Sequence, residues 1–386
     1  MKGSAAFIVG AGQTEFSKQA GRSETQLAAE AIRAALADAG LGVADVDGLT
    51  SFTIDPVEET ELTRAIGFQD LGFTSRVPYG GGGSQGVVTH AAAAIAAGQA
   101  DVVVAYRAIC ARSGKRRFGS TDTSNRSSPI HTGTTATQWC TPFGNLTPAA
   151  WFSLNSTRYM HEYGATSEDF GRAVVQLRAY AATNPNAHFY NRPITLEDHQ
   201  ASRWIAEPAI RLFDCCQETD GSVALVITSA EQARDLPQRP IEVVAAAGAA
   251  VFEEEIGSNH YRDDLTVLDS SAALARRLFG RSGIARSDLD VAMIYDAFTP
   301  ILFQQLEGLG FCGKGEAKDY VADGNLGPDG PLPTNTNGGL IGEGYIHGLN
   351  LTLEAVRQLR GTAVNQVADA RTALVSSSRA GVILRG

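Results

Sequence analysis

The chain has 386 residues, more than one ordinary domain, so its length predicts two similar halves or a domain with a large insertion. A net charge of -10 and a pI near 5.2 argue against a nucleic-acid surface, which needs clusters of basic residues. Lys115–Arg117 is a local exception, and is either a solvated loop or a contact for phosphate groups.

The cysteines indicate neither a disulfide framework nor a zinc site, because they number five and lack metal-ligand spacing. They stand at Cys110, Cys140, Cys215, Cys216 and Cys312. The start of the chain does not resemble a signal peptide, and apolar runs stay below the ~18 residues that a membrane helix needs. We therefore expect a cytoplasmic protein without a membrane span.

The first part of the chain predicts a strand, a helix and a second strand. Residues 5–10 form a short apolar run that ends in glycine, which is typical of a buried strand. Ser23, with Gln26 three positions later, has the spacing of a capping box and predicts a helix from there to Gly40. Residues 44–53 form an acidic turn that leads into a strand.

The second part repeats this order, which indicates an internal duplication. Residues 241–250 are strand-like, a helix is predicted over 265–279 with Gly280 at its end, and residues 287–298 repeat the acidic turn and the strand. The corresponding aspartates are Asp45 with Asp288 and Asp47 with Asp290.

Both parts then continue with a glycine turn, a helix and an apolar strand, at 80–107 and again at 337–378. Two such units predict an α/β protein with two parallel-type sheets that share a core. The segment 112–222 is rich in Ser, Thr, Asn and Pro and contains all three tryptophans, so it is interpreted as an inserted domain. It either covers an apolar substrate or packs onto the main body.

These patterns divide the chain into three parts. An N-terminal half covers 1–111, an inserted loop domain covers 112–222, and a C-terminal half covers 223–386. The chain is expected to return to the N-terminal half near 215–230.

Duplicated halves with glycine-led central helices resemble the thiolase superfamily, in particular its lipid-transfer-protein or sterol-carrier branch. The family's first motif places an acyl-accepting cysteine one helix before an Ala-Asp-Val-Val strand. Here that position falls on Gly81, and the nearest nucleophile is Ser84, which is a poor one without an activating base. The backbone of Gly81, Gly82, Gly83 and Ser84, at a helix N-terminus, is expected to bind a thioester or enolate oxygen.

The family's second motif falls on residues 295–298, so that Tyr295 takes the leading catalytic position and Asp296 the acidic one. The third motif runs from Asn335 to Gly348 and puts Tyr345 in place of the catalytic histidine. Its matched positions are Asn335, Gly338, Gly339, Ile341, Gly344, Tyr345, Ile346 and Gly348. The second family cysteine falls within residues 376–378, which are serines.

The resemblance implies Tyr295 and Tyr345 as catalytic residues. It implies oxyanion or substrate contacts by the glycine turn with Ser84, and by Asn335, Gly344 and His347. Asp296 is interpreted as a scaffold acid rather than the base, and His347 as structural or supporting rather than the base. An ordinary phenol has a pKa near 10, so we expect a helix N-terminus or the second phenol to lower the pKa of the base, which we assign to Tyr345.

The implied fold is a duplicated thiolase fold with two βαβαβαββ halves, layered α-β-α-β-α, plus the inserted loop domain. Without the nucleophile, the resemblance points to retro-aldol cleavage of a β-hydroxyacyl-CoA, as in steroid side-chain-cleaving aldolases. It implies a 17-hydroxy steroid carboxyl-CoA that yields a 17-keto steroid and propionyl-CoA. A cysteine-less acyltransferase and a non-catalytic acyl-CoA or lipid binder remain alternatives.

The same resemblance implies partners but no cofactor. CoA enters as part of the substrate, and no metal is expected. The expected assembly is a homodimer that also binds an acyl-CoA-associated protein with an OB-fold and a zinc ribbon.

Overall fold

A computed structural model describes residues 5–78, 80–114, 141–251 and 262–386. The strands in chain order are β1 (Ala6–Gln13), β2 (Gly48–Phe52), β3 (Phe73–Val77), β4 (Val102–Cys110), β5 (Trp204–Ala206), β6 (Ile210–Arg211), β7 (Asp220–Ser229), β8 (Ile241–Gly248), β9 (Val291–Ile294), β10 (Thr372–Ser377) and β11 (Ala380–Arg385). The α-helices are α1 (Glu24–Ala39), α2 (Glu59–Ile66), α3 (Gly86–Ala97), α4 (Pro148–Tyr163), α5 (Ser167–Thr183), α6 (Leu196–Ala201), α7 (Ala230–Ala233), α8 (Asp269–Ser282), α9 (Thr299–Leu309), α10 (Ala317–Ala322), α11 (Gly339–Gly342) and α12 (Leu349–Arg360).

The strands of the two halves meet in the order β3-β2-β4-β7-β1-β8-β11-β10-β9. The junction is short, because β1 and β8 pair only through Phe7 with Glu242 and Ile8 with Ile241. Outward from this junction the order of equivalent strands is the same in both halves, which confirms the predicted duplication. The expectation of parallel-type sheets is wrong for the inner strands: β4–β7, β1–β7, β10–β11 and β8–β11 are antiparallel, because each half ends by reversing direction.

The first half follows the predicted βαβαβαββ order from β1 to β4, with β7 as its last strand. The second half departs from that order at its third strand, which is reduced to a single bridge between Ala292 and Thr334. Pro333 precedes Thr334 and has no N–H to extend a ladder, which accounts for the short pairing.

The central helices α3 and α12 each contact strands of both halves and so lie between the two half-sheets. Helix α1 packs on the outer face of β1, β4 and β7, and α8 packs on the outer face of β8 and β11. The result is the expected α-β-α-β-α layering. The layers enclose three apolar clusters, one between the half-sheets and one under each outer helix layer.

Local sequence signals in the two halves have matching structural outcomes. The capping box of Ser23 and Gln26 is present, and Gly40 ends α1 with φ 70. Asp47 accepts the backbone N–H groups of Asp101 and Val102, and Asp290 likewise accepts those of Arg371 and Thr372 at the equivalent place. The repeated aspartates therefore fasten equivalent strand starts.

The helix predicted over 265–279 is misplaced by three to four residues, because α8 spans Asp269–Ser282. Its left-handed end is at Gly283 with φ 67, and Gly280 lies inside the helix. The delayed start has a local cause, since Thr266 is held in a turn by hydrogen bonds to Asp264.

The described part of the inserted segment packs onto the main body. Helix α5 contacts α11, and the ring of Phe152 on α4 lies 5.5 Å from that of Phe298. Lys115–Arg117 and Trp139 lie outside the described residues. The division at 112 and 223 stays a prediction, with β7 pairing between β4 and β1 of the first half. In the described ranges no helix is both long and apolar enough to span a bilayer.

Candidate active site

The glycine turn at 80–83 meets Tyr295 where the two halves come together. These four glycines form a buried 3₁₀ turn before α3. A Cβ added at Gly81 would come within 2.5 Å of Cζ of Tyr295 and closer still to its hydroxyl oxygen. The tyrosine therefore occupies the space that any side chain at position 81 would need.

Tyr295 and Tyr345 form a buried hydroxyl pair. Their Oη atoms are 2.9 Å apart, and the side chains are only 7% and 9% exposed. The ring centroids are 6.5 Å apart with planes tilted by 56°, so the rings approach each other through their hydroxyl ends. The two substituted motifs thus create one site, although 50 residues separate them in sequence.

The backbone holds each tyrosine at the end of a regular element. Tyr295 follows β9 directly, and its N–H donates to the carbonyl of Ser376 at 2.8 Å. Tyr345 lies in the turn between α11 and α12, where its N–H donates to Oγ1 of Thr219 at 2.9 Å. It precedes the first residue of α12 by four positions, so it is not in the first turn of that helix.

Burial raises the pKa of both tyrosines. For Tyr295, burial is the largest cause, followed by the repulsion that a charged Tyr345 would exert. For Tyr345, burial also dominates, but the hydrogen bond from Tyr295 and the positive charge of Arg107 oppose it. The expected lowering of the base pKa is therefore wrong for the free protein, although Tyr345 is the easier of the two to deprotonate.

The region of the second family cysteine lies beside the same turn. The N–H of Arg379 donates to the carbonyl of Gly82 at 2.8 Å, which joins the β10–β11 hairpin to the glycine turn. The hydroxyls of Ser376 and Ser377 donate to the nearby carbonyls of Ser377 and Ala380. These serine hydroxyls are engaged within the hairpin. The place of the family's second cysteine is therefore retained beside the glycine turn, but the thiol is replaced by hydroxyl groups.

Ser84 is fully buried and hydrogen-bonds to an amide rather than to a base. Nε2 of Gln85 donates to its Oγ at 3.1 Å and also to the carbonyl of Gly348. Because an amide N–H cannot accept a proton, this contact does not activate the hydroxyl. Gln85 instead links the starts of the two central helices.

Asp296 holds α11 in place. Its carboxylate accepts the N–H groups of Leu340 at 2.8 Å and Ile341 at 3.4 Å. This is the scaffold role expected from the sequence. Burial raises the pKa of Asp296 to about 7, against the lowering effect of these hydrogen bonds.

Replacing Asp296 with Asn should change how stability depends on pH. A carboxyl whose pKa is raised in the folded state contributes full stability below pH 4 and loses it as pH rises through about 7. Relative to Asp296→Asn, the wild type should lose roughly 3 kcal/mol between pH 4.5 and 8, since one pKa unit is about 1.4 kcal/mol. Urea unfolding of both proteins across this range measures the difference; a difference that does not vary with pH contradicts the prediction.

Two residues expected to bind the oxyanion have contacts within the scaffold. The amide of Asn335 accepts from the N–H of Ile294 at 2.7 Å and donates to its carbonyl at 2.8 Å, so it completes the end of β9. A Cβ at Gly344 would meet the ring of Phe16 at 2.8 Å, so this glycine permits close packing. The side chain of Asn335 is therefore engaged by the end of β9. The oxyanion role expected of Gly344 stays a prediction, because it concerns the backbone rather than the space that a Cβ would take.

His347 does lie beside the pair, with its ring edge-on to Tyr345 at 5.0 Å and 89°. Its Nδ1 accepts a hydrogen bond from Nε of Arg107 at 2.9 Å, and Arg107 also pairs with Asp55 at 2.9 Å. An imidazole whose Nδ1 accepts carries its proton on Nε2. Neither nitrogen is then a free base, which agrees with the expectation that His347 is not the general base.

Sequence reasoning missed three neighbours of the site. Arg107 had a usable signal, since it interrupts the apolar strand β4, and Asp55 follows the end of β2. Cys216 had none; it binds Ala297 through its N–H, and its thiol is among the groups that raise the pKa of both tyrosines.

The site therefore holds two phenols in mutual hydrogen-bond contact, with a glycine where a nucleophile would stand. Such a pair can exchange protons with a substrate held over the glycine turn. Residues 253–384 match the family described as thiolase C-terminal domain-like. Fold and site together define a thiolase-like protein that lacks the thiolase nucleophile.

Full-length relatives refine this class. The chain is 52% identical to the steroid side-chain-cleaving aldolase of Thermomonospora curvata, over 97% of this chain and 95% of that protein. It is 53% identical to the 17-hydroxy-3-oxo-4-pregnene-20-carboxyl-CoA lyase of Mycobacterium tuberculosis, over 96% of each. The solved Ltp2-ChsH2(DUF35) aldolase is 50% identical, with a TM-score of 0.93 over 100% of this chain and 98% of that one. The chain belongs to the thiolase-like family, in the branch of the steroid side-chain-cleaving aldolases.

Proposed function

We propose that this protein catalyses retro-aldol cleavage of a 17-hydroxy steroid carboxyl-CoA to a 17-keto steroid and propionyl-CoA. The observation that carries the proposal is the buried contact between the hydroxyls of Tyr295 and Tyr345 above Gly81. The identity to an aldolase and a carboxyl-CoA lyase over nearly the whole chain supports the same reaction.

The reaction moves one proton from the β-hydroxyl group to the α-carbon. The hydroxyl O–H bond breaks and its oxygen becomes a ketone while the Cα–Cβ bond breaks. The electron pair of that bond passes into the thioester as an enolate, and a proton added to the α-carbon completes the acyl-CoA. The thioester carries the developing charge, so the reaction as proposed needs no cofactor beyond the CoA of its substrate.

The tyrosine pair is suited to this transfer because both phenols are buried and neutral. In a relay, Tyr345 takes the hydroxyl proton while passing its own across the 2.9 Å contact to Tyr295. Tyr295 in turn gives its proton to the α-carbon. The relay never requires a lone buried phenolate, whose formation burial disfavours in both residues. Tyr345 is the base in this scheme, since Arg107 and Tyr295 favour its ionised form over that of Tyr295.

We extend the proposal to the assembly in which the protein works. The structure of the Ltp2-ChsH2(DUF35) aldolase supports a complex with a DUF35-type partner, expected to have an OB-fold and a zinc ribbon. The proposed assembly also includes a homodimer of this chain, and the proposed location is the cytoplasm.

Incubating the protein with 17-hydroxy-3-oxo-4-pregnene-20-carboxyl-CoA, alone and with a DUF35-type partner, tests the function. Release of equal amounts of 17-keto steroid and propionyl-CoA is the expected result. Exchange of the acyl group between thiols would instead indicate an acyltransferase. Saturable binding without turnover in either condition would indicate a lipid or acyl-CoA binder and would refute the proposal.

A further inference from the structure

A buried chain of charged and polar groups leads from the first half to the tyrosine pair. Asp55, Arg107 and His347 are each 1% exposed. Nη1 of Arg107 donates to Oδ2 of Asp55 at 2.9 Å, and Nε donates to Nδ1 of His347 at 2.9 Å. Asp55 is fixed in turn, since it also accepts the N–H of Val57 at 3.0 Å.

The direction of these hydrogen bonds determines what His347 offers to the site. A guanidinium has donors only, so Nδ1 must be the accepting nitrogen and Nε2 must carry the proton. Nε2 lies 3.9 Å from the position of a Cβ at Gly80, on the first residue of the glycine turn. The backbone of His347 is left-handed, with φ 50, which is uncommon for a residue with a side chain.

Stabilising the fold is a poor explanation for this arrangement. Removing two opposite charges from water costs about as much as their attraction returns, so apolar groups of the same size often serve stability equally well. A neighbouring arginine, Arg76, differs from Arg107. It donates to the backbone carbonyl of Asp55 at 3.0 Å and pairs with the half-buried carboxylate of Glu59. Only Arg107 of these two arginines contacts His347 among the described residues.

We propose that Arg107, anchored by Asp55, is a positioning residue that holds His347 as the neutral tautomer whose Nε2–H faces the glycine turn. There it donates to the thioester oxygen as that oxygen becomes an enolate. This proposal rests on the proposed function, and it adds residues that hydrogen-bond to His347 rather than to the substrate. Neutral donors prearranged at a developing oxyanion typically contribute about 10²-fold or more to kcat.

Other titratable groups also face this chain and belong in the interpretation of any pH profile. Tyr345 lies against the histidine ring, and Tyr106 and Arg76 interact with Asp55. Among the described residues, Tyr295 and Cys216 also border Tyr345, and Glu59 borders Arg76. Burial raises the pKa values of Tyr106, Tyr295, Tyr345 and Cys216, which keeps these groups neutral through pH 8.

The first test changes the donor to Nδ1. Arg107→Met keeps the length of the side chain but has no donor, so Nδ1 of His347 can bind a proton and His347 should titrate within the range of the pH profile. We expect kcat/KM to fall about 10²-fold at pH 6 and to recover partly toward pH 8, giving an acidic limb that the wild type lacks. Asp55→Asn/Arg107→Met removes both charges and keeps the test valid if the single variant fails to fold. Arg360→Met is the matched control, because it removes a largely buried arginine paired with Asp38 outside this chain of groups, and it should keep the wild-type profile.

The second test asks whether Arg107 acts through His347. In His347→Gln the side-chain amide keeps a donor but no longer needs a tautomer to be fixed. Arg107→Met should then reduce kcat/KM by no more than about 3-fold in the His347→Gln background, against about 10²-fold alone. Equal losses in both backgrounds would mean that Arg107 is merely structural and would overturn the proposal.

A spectroscopic reading separates this proposal from the proposed function. In protein labelled with ¹⁵N-histidine, the His347 signals, identified by their loss in His347→Gln, should show an unprotonated Nδ1 from pH 5.5 to 8. In Arg107→Met the same signals should titrate. Titration of His347 in the wild type would refute the positioning role even if cleavage occurs. A fixed tautomer in a protein that does not cleave the steroid thioester would refute only the proposed function.

Discussion

Tyr295→Phe and Tyr345→Phe should each lower kcat for cleavage by 10²–10⁴-fold, or roughly 3–5 kcal/mol of transition-state stabilisation. Each change deletes one hydroxyl of a pair only 2.9 Å apart and leaves the ring packing in place. The double variant should be little worse than either single one, because a relay with one member missing is already broken. Steady-state kinetics on the steroid carboxyl-CoA measure these losses.

The two tyrosines should be distinguishable by exchange of the α-hydrogens of propionyl-CoA in D₂O. Tyr295→Phe should slow this exchange, because Tyr295 is the proposed proton donor to the enolate. Tyr345→Phe should block cleavage and leave the exchange nearly unchanged. Reversed phenotypes would reverse the assignment, and near-wild-type cleavage by either variant would remove that residue from the mechanism.

Tyr180→Phe is a matched control for these variants. Tyr180 is 5% exposed and its hydroxyl donates to the carbonyl of Leu326 at 3.2 Å, so its loss deletes a comparably buried hydrogen bond. The expected cost is about 1 kcal/mol of folding stability, with kcat unchanged. A fall in kcat for this variant comparable to that of the site variants would mean that buried hydroxyls matter here only through stability.

Gly81→Ala should reduce kcat/KM by about 10²-fold with a much smaller effect on folding. The added Cβ would come within 2.5 Å of Cζ of Tyr295, so the ring must move, and a displacement near 1 Å at a reacting group costs about this much. The cause is the space taken by Tyr295 rather than backbone strain, since the left-handed φ of 51 belongs to Gly80. Gly81→Val should be worse still.

Gly280→Ala is the control for this change. A Cβ at Gly280 meets nothing within 4 Å, and the residue lies inside α8, so the variant should be fully active and slightly more stable. Comparing kcat/KM and thermal unfolding of the two variants separates a blocked site from a weakened fold. Full activity of Gly81→Ala would place the reacting groups away from the glycine turn.

The sequence alone was enough to identify the internal repeat, the family and the positions at which the family's catalytic residues are substituted. Capping at Ser23, the equivalent aspartates Asp47 and Asp290, and the glycine turn are local signals whose structural outcome is set within a few residues. The matched motif around Tyr345 identified where the histidine had been replaced. The predicted ends of α8 were misplaced because their sequence signals are weaker. A turn at Asp264 delays the start of the helix, and Gly283 rather than Gly280 ends it.

The tertiary structure alone decided what those residues do to one another. Tyr295 and Tyr345 touch because the fold of the second half brings the end of β9 to the turn before α12. Their raised pKa values arise from burial, which no local pattern states. Arg107 and His347 are 240 residues apart, and only packing of the halves makes one donate to the other. Within the second half, the fold commits Asn335 to Ile294. Residue identity fixes which chemistry is available, but distance and burial fix which of it is used, and these depend on contacts that are remote in sequence.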